Sequence, residues 1–434
     1  MAQQLIFAII LAASVWLFAR NIGKVRRNIL LGRDVDLSGN SAQRWRTMFM
    51  VALGQGKMFT RPIPALLHLF VYAGFVLINV EVLEILIDGV AGTHRVLAGI
   101  LGILYNGMMA FFEVLALLVL VSCIIFLFRR HVLKVKRFSG FEMRAFPVRD
   151  AATILIIEII LMTCLLLLNA VDKSLQNMGS EHFVQAGFFP VSNVLVSMFV
   201  GMSESNLIMF ERVCWWGHIL GIFVFMNYLP FSKHFHIIMA FPNTYYSNLE
   251  PKGELSNMPS VTTEVKLMMD PSAPTPEGYT PPTSFGAKDV QDLNWKNLMD
   301  AYTCTECGRC TSVCPANITG KLLSPRKVMM DTRDRLEEVG KNIDKNGEFV
   351  ADEKNLHTYI TAEELWACTT CNACVEICPV NINPVEIIVD MRRYLVMEKS
   401  EAPQELNLTF TNMENNGAPW QMAQSSRADW AKEN

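Results

Sequence analysis

Five long apolar runs, all before about residue 240, do most to limit what this 434-residue chain can fold into. They fall near 2–19, 63–87, 105–128, 151–171 and 212–230. Each is long enough to cross a hydrocarbon core of ~30 Å as a helix. The first run, AQQLIFAIILAASVWLFA, lacks the basic leader and small-residue cleavage site of a signal peptide, and its basic residues follow it. A retained first helix is therefore expected. The stretch 186–201 is shorter and interrupted by Pro190, which predicts an interfacial helix.

Basic residues orient the spans. Arg20, Lys24, Arg26, Arg27, Arg33, Arg44, Arg46, Lys57 and Arg61 lie between the first two runs, and Arg129, Arg130, Lys134, Lys136, Arg137, Arg144 and Arg149 between the third and fourth. The alternate loops hold little beyond Arg95 and Lys173. The positive-inside rule then predicts a multi-pass protein of the inner (cytoplasmic) membrane with its N-terminus outside. Five spans place everything after about residue 237 in the cytoplasm. A net charge of -3 and the lack of a basic stripe argue against a nucleic-acid partner.

The remainder reads as soluble protein. Residues 241–290 are rich in Pro, Ser, Thr and Gly without a period, which predicts an extended tether. Residues 291–399 hold two copies of one cysteine spacing: Cys304, Cys307, Cys310, Cys314-Pro315, then Cys368, Cys371, Cys374, Cys378-Pro379. Three thiolates at three-residue steps wrap one face of an iron–sulfur cubane, and the fourth ligates the other cluster, as in two-cluster ferredoxins. Cys304, Cys307, Cys310 and Cys378 are expected to hold one [4Fe–4S] cluster, and Cys368, Cys371, Cys374 and Cys314 the second. Structural zinc is the alternative, but it uses two separated pairs, not four cysteines in eleven residues twice over. Such thiols suit a reducing compartment. Cys123, Cys164 and Cys214 read as small apolar side chains. Ser324-Pro325 and Thr361-Ala-Glu-Glu look like helix starts in the insert between the motifs, where two helices are expected. The fold class expected is all-α: a five-helix transmembrane bundle over 1–240, then a helical two-cluster ferredoxin-like domain.

Histidines near the spans need partners, because a bilayer penalises them otherwise. His218 and His236 are 18 residues apart, five turns of ~3.6 residues, and so are expected to share one helix face. His234 is expected on nearly the opposite side. His68, in the first turns of the second run, is level with His236, and two imidazoles at equal depth on facing helices suit a haem b. For His218 the obvious mate is His94, in an outer loop, which would make a second haem. Simple hydrogen bonding to water or headgroups is the alternative for each, and above all for His234.

Arg61-Pro62-Ile63-Pro64-Ala-Leu-Leu-His68, Trp-Trp-Gly-His218 and Pro-Phe-Ser-Lys-His-Phe-His236 resemble the haem-b membrane subunit of respiratory nitrate reductase. They resemble more closely its relatives fused to heterodisulfide reductase-type iron–sulfur subunits, a likeness that the tandem cysteine motifs share. Nitrate reductase subunits have a second histidine in the second span, where this chain has Ile78. Fused relatives continue past an Asn-x-Pro-Trp stretch into Cys-Cys-Gly domains, and this sequence has no Cys-Cys-Gly after Asn416-Gly-Ala-Pro-Trp420. The resemblance implies a separate cysteine-rich subunit or a flavoprotein as partner, docked on the polar tail 400–434 through Trp420.

Together these features predict an electron-transfer subunit joining a cytoplasmic redox partner, two clusters, haem b and the quinone pool within membrane lipid. Substrate chemistry is expected on another subunit, since no nucleophile–base pair or flavin fingerprint is present. Glu81, Glu84, Glu113 and Glu158 are candidates for quinone proton exchange. Interfacial solvation is the alternative for Glu81 and Glu84. A rival of another class is a membrane-bound ferredoxin-like assembly or metal-handling factor without haem.

Overall fold

The computed structural model describes residues 1–432 except Glu277 and Thr283. It is helical, with no strand among the described residues. Five helices are long and apolar enough to cross a membrane: α1 (Ala2–Ile29), α2 (Pro62–Ala91), α3 (Ile103–His131), α4 (Phe146–Met178) and α5 (Glu204–Tyr228). Each overruns its apolar sequence stretch, because helical hydrogen bonding continues into flanking polar residues. α2 starts on Pro62, whose missing N–H costs nothing there, and stops at Gly92 in the left-handed conformation (φ 74°). α3 ends on Arg129, Arg130 and His131, which complement its C-terminal dipole. α3, α4 and α5 pack side by side around Met109, Phe112, Leu115, Leu161 and Leu165, with α2 against α3. Gly74 lets α2 approach Val119, the small-residue contact that membrane helices favour.

The rest departs from expectation in four places. No free interfacial helix covers 186–201; a single turn (Ser192–Leu195) and a 3₁₀ turn (Val196–Phe199) fold back on the bundle. The cause is Glu113 of α3, which accepts the N–H groups of Val191 and Ser192 at 3.0 and 3.1 Å. Next, α5 does not run on to His236. Pro230 cannot donate, the chain makes 3₁₀ turns at Leu229–Phe231 and Lys233–Phe235, and a new helix α6 (His236–Tyr245) begins. The supposed tether starts inside α6 and contains α7 (Pro259–Met269). Finally, the polar tail forms α13 (Gln404–Asn416), capped by left-handed Gly417. Leu408, Phe410, Met413 and Trp420 of that tail stay exposed.

Between α7 and α13 lies the cysteine-bearing domain: α8 (Trp295–Thr303), α9 (Arg309–Val313), α10 (Pro325–Asn346), α11 (Ala373–Ile377) and α12 (Pro384–Met397). Ser324 caps α10 and Thr361 closes a capping box on Ala362–Trp366, so both expected starts are present. The insert holds one long helix and two single turns, in place of two helices. The domain's core is not its own. Val25 and Ile29 of α1, Ala52, and Phe235, Met239 and Ala240 around α6 are buried in it beside Leu298, Val328 and Ile388.

α1 therefore continues past its apolar run as a strut. Asn28 donates to the Tyr302 hydroxyl at 2.9 Å, Arg27 reaches the Gly340 carbonyl at 3.0 Å, and Lys24 pairs with Asp344 at 2.6 Å. A Cβ on Gly340 would sit 2.5–2.8 Å from the Asn28 side chain. Gly340→Val is expected to push α1 off α10 and destabilise the protein by about 1–3 kcal/mol, the usual overpacking cost. Thermal unfolding of the purified variant checks this; an unchanged midpoint would refute the close docking.

Candidate redox site

The two cysteine loops are near copies in backbone as well as sequence. After Cys304, Glu306 (φ 54°) and Gly308 (φ 70°) turn left-handed, and α9 follows carrying Cys310. After Cys368, Thr370 (φ 53°) and Asn372 (φ 58°) do the same, and α11 carries Cys374. These left-handed turns coil the chain so that successive thiols face one point. Gly308 has a second constraint, since a Cβ there would meet the Arg326 guanidinium at 2.6 Å and the Arg137 carbonyl at 3.0 Å.

α9 and α11 pack together and bring the eight cysteines around two cavities. Cys304, Cys307, Cys310 and Cys378 line one, and Cys314, Cys368, Cys371 and Cys374 the other, with Cys374 also reaching the first. The N–H groups of Thr370 and Ile382 point at Cys368 and Cys378 Sγ at 3.4 and 3.3 Å. Burial, with neighbouring thiols adding, pushes Cys304 and Cys374 up to about 12 and Cys378 up to about 11. Such thiols keep their protons until a metal displaces them. Cys371 is exposed, so the second cavity lies nearer the surface.

The first cavity is keyed to the membrane domain on two sides. Arg309, 3% exposed, donates to Lys57 O, Thr60 Oγ1 and Met58 O at 3.2–3.3 Å, and Arg61 donates to Ser312 Oγ at 2.7 Å. Those contacts hold the turn that starts α2. On the other side Glu306 forms ion pairs with Arg333, at 2.8 Å, and with Lys233. Lys233 also donates through its backbone to Asp150 at 3.0 Å. Sequence reading missed Arg309, Glu306 and Lys233. The available signal was charge inside or beside ligand motifs.

Those clamps bring His68 of α2 and His236 of α6 together, with ring centroids 6.4 Å apart. Two imidazoles bonded at ~2 Å on opposite sides of one metal would have centroids roughly 6 Å apart. His236 Nδ1 donates to the Lys233 carbonyl at 3.0 Å, which leaves Nε2 as the ligating nitrogen. The pair thus fits a bis-histidine haem, but the break at Pro230 means that His218 and His236 do not share one helix. His234 is not on the opposite side: its ring lies 5.7 Å from His236 and 5.0 Å from Phe225.

His218 is buried, with Nδ1 on the Leu161 carbonyl at 3.0 Å and Nε2 bonded to nothing among the described residues. Its expected mate does not turn to it. His94 places Nε2 3.2 Å from Asp172, and its Nδ1 accepts the Val184 N–H at 3.3 Å, so neither nitrogen is left for iron. Glu81 and Glu84 are not at a solvated interface either, being 3% and 2% exposed. Glu84 accepts from Tyr105 and Leu97, and Tyr105 and Asn169 bind Arg95, which pairs with Asp172 at 2.6 Å. The role of Arg95 in this network was not legible from sequence.

Residues 303–382 match the family described as 4Fe-4S dicluster domain. This segment is a 4Fe–4S dicluster domain. Over its whole length the chain is 28% identical to the probable iron-sulfur-binding oxidoreductase FadF of Bacillus subtilis, covering 61% of that protein. Over 96% of its length it is 28% identical to the EtfAB:quinone oxidoreductase of Syntrophomonas wolfei, covering 56% of it. Over 163 residues, 34% of this chain and 24% of the relative, it is 34% identical to the probable membrane-anchored ferredoxin of Chromohalobacter salexigens. The chain thus spans about three fifths or less of the length of these curated relatives. No solved structure matches it. Its homologues are iron–sulfur oxidoreductases, and its five apolar helices make it a multi-pass membrane protein.

Proposed function

We infer that this chain conducts electrons between a cytoplasmic partner and the quinone pool through two [4Fe–4S] clusters and one haem b. The carrying observation is the set of contacts that ties the loop of Cys304, Cys307 and Cys310 to the residues just before α2 and α6, the helices that carry His68 and His236. In this reading the cluster of that loop is the one next to the haem, and the cluster of Cys314, Cys368, Cys371 and Cys374 faces the partner, since Cys371 is exposed. A bound haem supplies one-electron exchange between ferric and ferrous iron. The chain's own part is to hold both imidazoles, exclude water from the first cavity and keep the two sites close. The soluble domain lies on the cytoplasmic side, in keeping with the basic loops.

One relative's name, EtfAB:quinone oxidoreductase, supports the quinone link, and another's, probable iron-sulfur-binding oxidoreductase, supports the redox class. The partner proposed is accordingly an electron-transferring flavoprotein or a Cys-Cys-Gly subunit, seated near the exposed apolar side chains of α13. His218 stays outside this scheme, because His94 offers it no free nitrogen.

The experiment is anaerobic reduction of the purified chain followed by a short-chain quinone. A sharp reduced alpha band and the cluster bleaching should both appear with the reductant and both reverse with the quinone. A spectrum with cluster absorption alone would favour the haem-free ferredoxin-like factor. A haem that reduces but does not reoxidise would remove the quinone from the scheme.

A further inference from the structure

Buried cations in this protein mostly face carboxylates. Arg326 meets Glu142 at 2.6 Å, Arg333 meets Glu306 at 2.8 Å, and Arg335 meets Asp289 and Asp352 at 2.6 and 2.8 Å. Three guanidiniums around α9 do not. Arg309 donates only to two carbonyls and a hydroxyl. Arg61 has Ser312 Oγ. Arg137 lies over the Phe138 ring at 4.8 Å, and its buried Nε donates to nothing among the described residues. None of the three forms an ion pair among the described residues.

All three border α9. Arg309 is its first residue, Ser312 ties Arg61 to it, and the Arg137 carbonyl abuts Gly308 just before it. Burial holds Arg137 down at about 10, and the nearby charges of Arg61 and Arg309 add to that. Partly buried like charges without a counter-ion are costly, and a bound anion relieves the cost. The guanidinium fork matches a carboxylate in particular. Arg61 precedes α2 and His68 lies seven residues on, about 10 Å of helix rise deeper. An anion at the arginines therefore sits toward the water from whatever the histidines hold.

We propose that Arg309, Arg137 and Arg61 bind the two carboxylates of the porphyrin whose iron is ligated by His68 and His236. This rests on the haem reading above. It fixes the orientation of the macrocycle, with its charged edge against α9. Because Arg309 directly precedes Cys310, that edge is also the one nearest the first cluster. The competing role for the same arginines is to neutralise the negative iron–sulfur cage itself, since Cys307 and Cys310 flank Arg309.

The test uses the full chain purified from haem-limited cells and reconstituted with protohaem or with its dimethyl ester, which keeps the ring and lacks both charges. Wild type should bind the acid about tenfold tighter than the ester. R309Q and R137Q should each shrink that preference toward one and lower the haem midpoint potential, since fewer nearby cations favour ferric iron; R309Q, whose position also lines the first thiol cavity, should shift that cluster's potential as well, whereas R137Q should move the haem more than either cluster. R137Q lies outside the cysteine motifs and so separates a charge effect from damage to the cluster. Equal affinity of wild type for both haems overturns the proposal. So do variants that shift the cluster potentials and leave the haem preference intact. Uptake of neither haem, with the clusters present, sinks the haem reading itself and this proposal with it.

Discussion

Replacing His68 or His236 with Ala is expected to remove the haem, lowering haem content more than about tenfold, and to leave both clusters in place. Either imidazole alone leaves iron with one protein ligand, and neither side chain lines a thiol cavity. The reduced alpha band measures the haem, and iron analysis with EPR measures the clusters. His236 is the more sensitive of the two, because its Nδ1 bond to the Lys233 carbonyl fixes which nitrogen is presented. Replacing His218 should leave this alpha band unchanged. If haem content is unaffected in both principal variants, the pair is wrong, and His234, with its ring 5.7 Å from His236, becomes the candidate.

Cys314→Ala should bring non-haem iron from about eight per chain to about four, by loss of the cluster that the second motif mainly binds. The spatial basis is that Cys314 lines the cavity of Cys368, Cys371 and Cys374 and not that of its own motif. Cys378→Ala should do the converse and remove the cluster that the first motif mainly binds. EPR distinguishes the two clusters in each variant. Loss from Cys314→Ala of the first motif's cluster alone would establish ligation within each motif and end the crossed scheme.

The cysteine loops and apolar spans are legible because each is written locally: a spacing of three, a run of some twenty residues. The break at Pro230 is legible too, since a proline in that segment argues against carrying one helix face from His218 to His236. The helices α7 and α13 are harder to find. Both are short and lie in stretches broken by Pro, Ser, Thr, Asn and Gly, the first starting on Pro259 and the second ending at Gly417. The buried state of Glu81 and Glu84 is hidden because their partners, Tyr105, Arg95 and Asn169, come from three other segments of the chain.

By itself the sequence determined five membrane-length helices and two cysteine loops of iron–sulfur spacing. It did so because hydropathy over ~30 Å and ligand spacing are properties of neighbours in the chain. Only the tertiary structure decided which sites adjoin. α1 extends beyond its apolar run to carry Asn28 onto Tyr302, and Arg309 and Lys233 tie the first cluster's loop to the ends of α2 and α5. Those contacts join residues tens to hundreds of positions apart, through hydrogen bonds and ion pairs that have no period to read. They exist because charged groups buried between these segments need hydrogen-bond or ion partners, and the partners they found tie the first cysteine loop to the segments that precede His68 and His236.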